Sequence, residues 1–336
     1  MRKKPYSETR ERIKRKKAIK RRQRNLKIGR IFMTMVIIMV VLTGVGWLSM
    51  QIYQWGSQRL AVYMEIYDGY KQRKELRAAS YDPRFNGYTN ILVLGLDPGK
   101  EDVGQSTDAV ILMSFKHDTG QVRLITIPRY TRVNIQGRNQ PEPLNNAYYY
   151  GGIPLMEQTV SKNWGVTSHD YVAIDTDGLA AIVDVMGGID LYVDDDLNYE
   201  DPLGELYIHI PKGIQHMDGD MAQKYLRFAS DDLGAYGRSM RQQKFLKALI
   251  NKLMEPDSLA KLPALVEVCD KRVKSSIEAF DSGHIASLLT RMQGTTPELK
   301  VLPGELQKDG SWVYNQEKTA ALMDELFPPE QPEQEN

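Results

Sequence analysis

A chain of 336 residues, 42% of them hydrophobic, has room for one large domain or two ordinary ones with a real core. Its single cysteine excludes an intrachain disulfide, and its five scattered histidines form no Cys/His cluster of zinc-ligand spacing. The formal net charge of +1 hides an asymmetry: residues 1–30 carry fifteen Lys and Arg against two Glu, a net +13, which leaves −12 for the remainder.

Directly after Arg30 come twenty residues without a charge, Ile31 to Met50, the length of a membrane-spanning helix. A secretory signal peptide is the competing reading, but the run is long for one and no Ala-x-Ala site follows. Trp47, Tyr53 and Trp55 stand where an interfacial aromatic belt would lie. The basic flank then stays in the cytoplasm, and residues from about 55 onward lie outside a cell membrane crossed once. Basic runs also bind nucleic acid, yet beside a span the charge bias suffices, and no nucleic-acid partner is expected. Residues 51–87 read as a stalk or linker, with Leu60, Tyr63, Met64, Ile66, Tyr67 and Tyr70 at roughly helical spacing.

Three strand-length apolar runs follow. Ile91 to Leu96 ends in Asp97, Ala109 to Phe115 is preceded by Ser106-Thr107-Asp108, and Val122 to Ile127 ends at Pro128-Arg129. Asp97 and Asp108 either cap turns or mark a site, since ligands gather at strand edges in helix-covered sheets. Arg132 lies close behind Arg129. A helix start at 144–152 with a Gly-marked break leads into a helix from Ile153 to Trp164. A short strand at 171–174, a helix at 179–186 closed by Gly187-Gly188 and a strand at 189–193 come next, before the acidic loop 194–196. This alternation predicts an α/β sandwich with a helix-covered central sheet over residues 88–327.

Asp218 opens a further helix that carries Arg227 near its end. After a loop, the next helix is expected to begin at Arg238, which puts Arg238, Arg241 and Gln242 on one face of its first turn. Cations are disfavoured at a helix N-terminus; two arginines there either face an anion or pair with Asp231 and Asp232. Helices at 258–270, 283–292 and 316–327, a strand at 299–302 and a disordered tail over 328–336 complete the expected order. Cys269 falls in a helical apolar pattern and reads as a core thiol. Guanidinium forks suit phosphate, and paired carboxylates facing phosphate suit a hard divalent cation, usually magnesium. The ligand so implied is phosphorylated and, beside a bilayer, of lipid-linked type.

Several stretches, in order, resemble the LytR–CpsA–Psr family of bacterial envelope proteins. They are Asn90 to Asp97, Ser106 to Asp108, Ile127 to Val133, Leu144 to Tyr148, Val183 to Ile189, Tyr199 to Asp201, Lys212 to Gly219 and Gly237 to Gln243. The resemblance implies an extracellular α/β domain with an apolar pocket for a polyprenyl chain. It also implies a phosphotransferase that moves a glycopolymer such as teichoic acid from a polyprenyl-pyrophosphate carrier to peptidoglycan. Carried over by position, Asp97 and Asp108 serve magnesium or the acceptor hydroxyl, and Arg129, Arg132, Arg227, Arg238, Arg241 and Gln242 grip the phosphates. The chain departs from the pattern at five positions. Gly99, Ser106 and Ala229 stand where the family has arginine, and Tyr130 and Ala235 where it has aspartate. Lys100, Lys116, Asp231 and Asp232 are the candidate substitutes. A catalytically degenerate member that binds polyprenyl phosphates and assists envelope assembly is the alternative.

Overall fold

A computed structural model describes residues 82–97, 106–202, 206–228, 234–278, 282–292 and 294–328, with parts of 15–75 that include all of 41–57. The chain divides into two units, Met1–Arg73 and Lys74–Asn336. In the first, residues 41–57 are helical, with Trp47, Tyr53 and Trp55 exposed. Seven of the twenty residues of the expected span 31–50 lie outside the described residues, and among the described residues no helix is long and apolar enough to cross a membrane. Residues 329–336 of the tail also lie outside them.

The second unit is built on a six-stranded mixed sheet. Its strands are β1 (Tyr88–Asp97), β2 (Ser106–Lys116), β3 (Val122–Thr126), β6 (Asp170–Asp175), β11 (Val273–Ser275) and β12 (Glu298–Val301), in the order β11-β6-β1-β2-β3-β12. β1 runs antiparallel to β2 and parallel to β6. Side chains alternate faces along a strand, and both faces are covered. Val110, Leu112, Ile125 and Ile127 join one core with Met156 and Val160 of helix α1 (Asn145–Trp164) and Leu326 of helix α8 (Gln316–Leu326). Ile111, Phe115, Val122 and Leu124 join another with Ile250 of helix α4 (Gly234–Leu253) and Leu288 of helix α7 (Ser282–Met292). Covering on both sides explains why these strands read as unbroken apolar runs.

The remaining elements form a satellite core around helix α2 (Thr176–Met186) and helix α3 (Gly219–Arg227). Two strand pairs flank them: β7 (Ile189–Val193) with β10 (Gly213–Met217), and β8 (Leu197–Asp201) with β9 (Leu206–Ile210). The sequence pattern read β7 and missed β8, β9 and β10. It also missed the small ladders β4 (Arg132–Val133) with β5 (Glu142–Pro143) and β13 (Gly304–Leu306) with β14 (Trp312–Tyr314). The expected helix at 258–270 is two, α5 (Pro256–Leu259) and α6 (Leu262–Arg272). The expected glycine break is real: α1 kinks at Gly151 and Gly152, where Gly152 takes φ +61°, a value that side chains with a Cβ rarely adopt.

One irregularity sits next to the acids. Gly95 pairs with Ala109 and Leu96 pairs with Thr107, so Asp108 is an extra residue without a partner across the ladder. This β-bulge is of the kind that re-aims a side chain beside a functional site. Gly95 is needed opposite it, because a Cβ there would come within 2.9 Å of the Ala109 Cβ.

Candidate active site

Asp97 ends β1 and Asp108 lies at the start of β2, so antiparallel pairing brings them to one edge of the sheet. Parallel β6 delivers Asp175 to the same edge, opposite Leu96. The Asp175 carboxylate accepts the Gly178 N–H at 2.7 Å and caps α2, setting Thr176 and Asp177 beside the acids. A cavity of about 360 Å³ opens there, lined by Asp97, Asp108, Thr176, Asp177, Tyr199, Leu206, Gln223, Arg227 and Arg238. Gln223 on α3 fixes its wall, donating to the Thr176 carbonyl at 3.2 Å and the Asp177 carboxylate at 3.0 Å.

Asp108 is the centre of charge. Arg129 Nη1 and Arg238 Nη2 both donate to its Oδ1, the latter at 3.1 Å. Two guanidiniums thus share one carboxylate oxygen, although they lie more than a hundred residues apart in the chain. Burial, and then the charge of Arg238, pushes Arg129 down to about 10. Burial also lowers Arg238, partly opposed by Tyr130 and Asp97. Both directions mark a site where cations are crowded and short of water, which an incoming anion would relieve. Two buried atoms there have no hydrogen-bond partner among the described residues: Arg129 Nε and Asn145 Oδ1. Asn145 reaches the site from the start of α1, where its Nδ2 donates to Ser106 Oγ at 3.3 Å and its backbone N–H to the Arg129 carbonyl at 3.0 Å.

Arg227, the last residue of α3, faces the cavity and makes no ion pair or side-chain hydrogen bond among the described residues. Three expected arginines (Arg129, Arg227 and Arg238) therefore meet at the two expected acids. The other three expected site residues stand elsewhere. Arg132 is the exposed residue of β4 and pairs with Asp309 at 3.3 Å. Arg241 donates to the Phe228 carbonyl at 2.7 Å, lies over the Phe228 ring and lines a neighbouring cavity with Asp194 and Asp195. Gln242 makes no side-chain hydrogen bond among the described residues, whereas its buried neighbour Gln243 donates to the Leu124 and Lys300 carbonyls.

α4 begins at Gly234 and not at Arg238, so Arg238 lies in the second turn; Arg241 and Gln242 follow one turn further along the axis, where the Phe228 carbonyl takes Arg241. Of the candidate substitutes, Lys116 is at the opposite end of β2, paired with Asp118 at 3.2 Å. Lys100, Asp231 and Asp232 lie outside the described residues, as do Gly99 and Ala229.

Among the described residues no group of three acids, histidines or cysteines forms a ready metal cage. The donor set nonetheless fits magnesium, which takes one or two carboxylates and completes its shell with water and substrate phosphate. Asp97 and Asp108 share a cavity with Arg227 and Arg238, and Asp177 is a third carboxylate on its wall.

Sequence missed what braces the site. Tyr130 Oη accepts from Arg129 Nη2 at 2.8 Å, and its ring lies 4.5 Å from the guanidinium carbon. Trp312 of β14 donates its backbone N–H to the Tyr130 carbonyl at 3.1 Å. No short-range pattern links residues so far apart.

Known proteins match both the chain and the fold. The LytR_cpsA_psr family model covers residues 57–326. A Bacillus mycoides protein named polyisoprenyl-teichoic acid--peptidoglycan teichoic acid transferase TagU is 30% identical over 228 residues, 67% of this chain and 72% of the relative. The TagU of Bacillus cereus strain ATCC 14579 is 27% identical over 293 residues, 84% of this chain and 91% of the relative. Among solved structures, Bacillus subtilis TagV superposes with a TM-score of 0.61 at 24% identity, covering 73% of this chain and 98% of that one. A TagT structure described as bound to LI-WTA gives 0.60 at 21% identity, covering 74% of this chain and 92% of that one. These structural likenesses concern the fold.

Proposed function

The chain belongs to the LytR_cpsA_psr family, and from that premise we propose that it transfers a glycopolymer from a polyprenyl-pyrophosphate carrier to peptidoglycan. The polymer is of the teichoic acid class for which its TagU relatives are named. The observation that carries this reading is the meeting of Arg129 and Arg238 on Asp108, in a cavity that also holds Asp97 and Arg227.

The chemistry follows from the charges. The pyrophosphate enters between Arg129, Arg227 and Arg238, whose forks match its oxygens. An acceptor hydroxyl attacks the phosphorus on the glycopolymer side. A new P–O bond forms, the bridging P–O bond breaks, and polyprenyl phosphate departs with the electron pair. Asp97, exposed at the cavity mouth, receives the hydroxyl proton. Asp108 holds two arginines toward the phosphates. Phosphoryl transfer depends mainly on such positioning and charge stabilisation. A magnesium ion held by Asp97, Asp108 and the phosphates would supply further neutralisation.

We also assign the chain to the cell membrane, crossed once, with residues 1–30 in the cytoplasm and residues 88–327 outside. The basic run, the uncharged stretch 31–50 and the exposed aromatics Trp47, Tyr53 and Trp55 support this. The test uses the full chain in detergent with magnesium and a polyprenyl-pyrophosphate-linked polymer, measuring polymer attached to peptidoglycan. Transfer that Asp108→Ala abolishes supports the reading. Tight binding with no transfer by the parent chain would point instead to a degenerate family member, for which Tyr130 in place of an acid is the favouring observation. A chain that neither binds nor transfers would overturn both.

A further inference from the structure

Tyr130 occupies a peculiar position in the site. Its hydroxyl oxygen accepts the Arg129 Nη2 hydrogen at 2.8 Å, while the guanidinium carbon sits 4.5 Å from the ring centroid. Arg129 is thus held on two sides, by Asp108 at Nη1 and by the phenol at Nη2. The ring's own origin is fixed: the Tyr130 carbonyl accepts the Trp312 N–H, and the next residue, Thr131, bridges to Trp312. Tyr130 is half-buried.

A carboxylate in this place would only accept hydrogen bonds and would add a negative charge facing any anion. A phenol that accepts from an arginine still has its own proton to give. Its oxygen therefore faces the cations as an acceptor and an incoming anion as a donor. The Tyr130 hydroxyl bonds Arg129, which meets Arg238 on Asp108 Oδ1, and so it stands among the cations that converge on that carboxylate.

We propose that Tyr130 is a ligand-binding residue of this site: its O–H donates to a pyrophosphate oxygen while its oxygen and ring face hold the Arg129 guanidinium toward the same group. This inference rests on the pyrophosphate reading given above and deepens it. Tyr130 supplies a neutral donor and leaves the arginine charges to the ligand.

The test is calorimetric titration of the full chain in detergent with inorganic pyrophosphate, for the parent, Tyr130→Phe, Tyr130→Asp and Arg238→Ala. Tyr130→Phe keeps the ring and removes only the hydroxyl; binding should weaken about 10-fold, the size of one hydrogen bond to a charged group. Tyr130→Asp should weaken it about 100-fold, because the new carboxylate pairs with Arg129 and repels the ligand. Melting temperatures within about 2 °C of the parent would show that neither change acts through unfolding. Parent-like affinity in Tyr130→Phe, alongside weakened binding in Arg238→Ala, overturns the role of Tyr130 and leaves the site intact. Absence of binding by the parent, or parent-like binding by Arg238→Ala, overturns the pyrophosphate reading and this inference with it.

Discussion

The ring of Tyr236 stacks flat on the indole of Trp312, 4.8 Å between centroids and 5° from parallel. Tyr236 lies two residues before Arg238 on α4, and Trp312 bonds the backbone of Tyr130, next to Arg129. The C-terminal hairpin therefore braces both arginines that meet on Asp108.

The stack should matter for affinity as well as stability. Aromatic pairs contribute about 0.5–1.5 kcal/mol beyond their buried area. Tyr236→Ala is expected to lower the melting temperature by about 4 °C and to weaken pyrophosphate binding several-fold, whereas Tyr236→Phe should restore both. Full affinity in Tyr236→Ala would show that Arg238 needs no such brace.

Asp108→Asn keeps the shape of the side chain and removes the charge that Arg129 and Arg238 share. Losing one preorganised electrostatic group costs about 100-fold or more in rate, so polymer transfer should fall at least that far. Single-turnover transfer measured at saturating substrate is the check, and a rate within tenfold of the parent would remove Asp108 from the chemistry.

Arg227 and Gln243 should separate binding from folding. Arg227 makes no ion pair or side-chain hydrogen bond among the described residues, so Arg227→Ala should shift stability by under about 0.5 kcal/mol while weakening pyrophosphate binding about 10-fold. Gln243 is buried with both amide bonds on backbone carbonyls of β3 and β12. Gln243→Ala removes both buried bonds and should cost about 1–3 kcal/mol in denaturant unfolding. The reverse pattern would mean that the cavity has been assigned to the wrong arginine.

His169 gives a pH dependence of known sign. Burial, and then the neighbouring His117, pulls it down to about 4, and its Nδ1 accepts the Asn90 N–H at 2.8 Å. An unfolded chain takes up this proton near about pH 6.5. Between there and 4 the unfolded state binds more protons, so stability is full above 6.5 and is lost as the pH falls toward 4. Melting temperature against pH should flatten in that window for His169→Gln, and an unchanged slope would assign the effect to other groups.

Much of the site was legible because it lies where strands end. Asp97, Asp108 and Arg129 follow or precede apolar runs whose limits are marked by Gly, Asp and Pro, and those limits fall within a few residues of β1, β2 and β3. Arg238 was legible as a cation early in a helix. The start of α4 at Gly234 was missed because Ala235 and Tyr236 carry no capping signal, and Arg241 lies a turn beyond Arg238, where the Phe228 carbonyl takes it. Arg132 looked like a partner of Arg129 by proximity in sequence, yet the turn after Pro128 sends it to the surface and Asp309. Trp312 and Tyr236 were out of reach, since their contact spans some eighty residues and depends on the finished fold.

The bulge at Asp108 has a consequence for how this strand can change over time. Side chains along β2 can be exchanged one at a time, but the count of residues is rigid. Deleting a single one would heal the mismatch with β1 and carry the carboxylate to the reverse side of the sheet. A more regular strand would thus be a blind one, and drift in this segment is confined to spelling and closed to length.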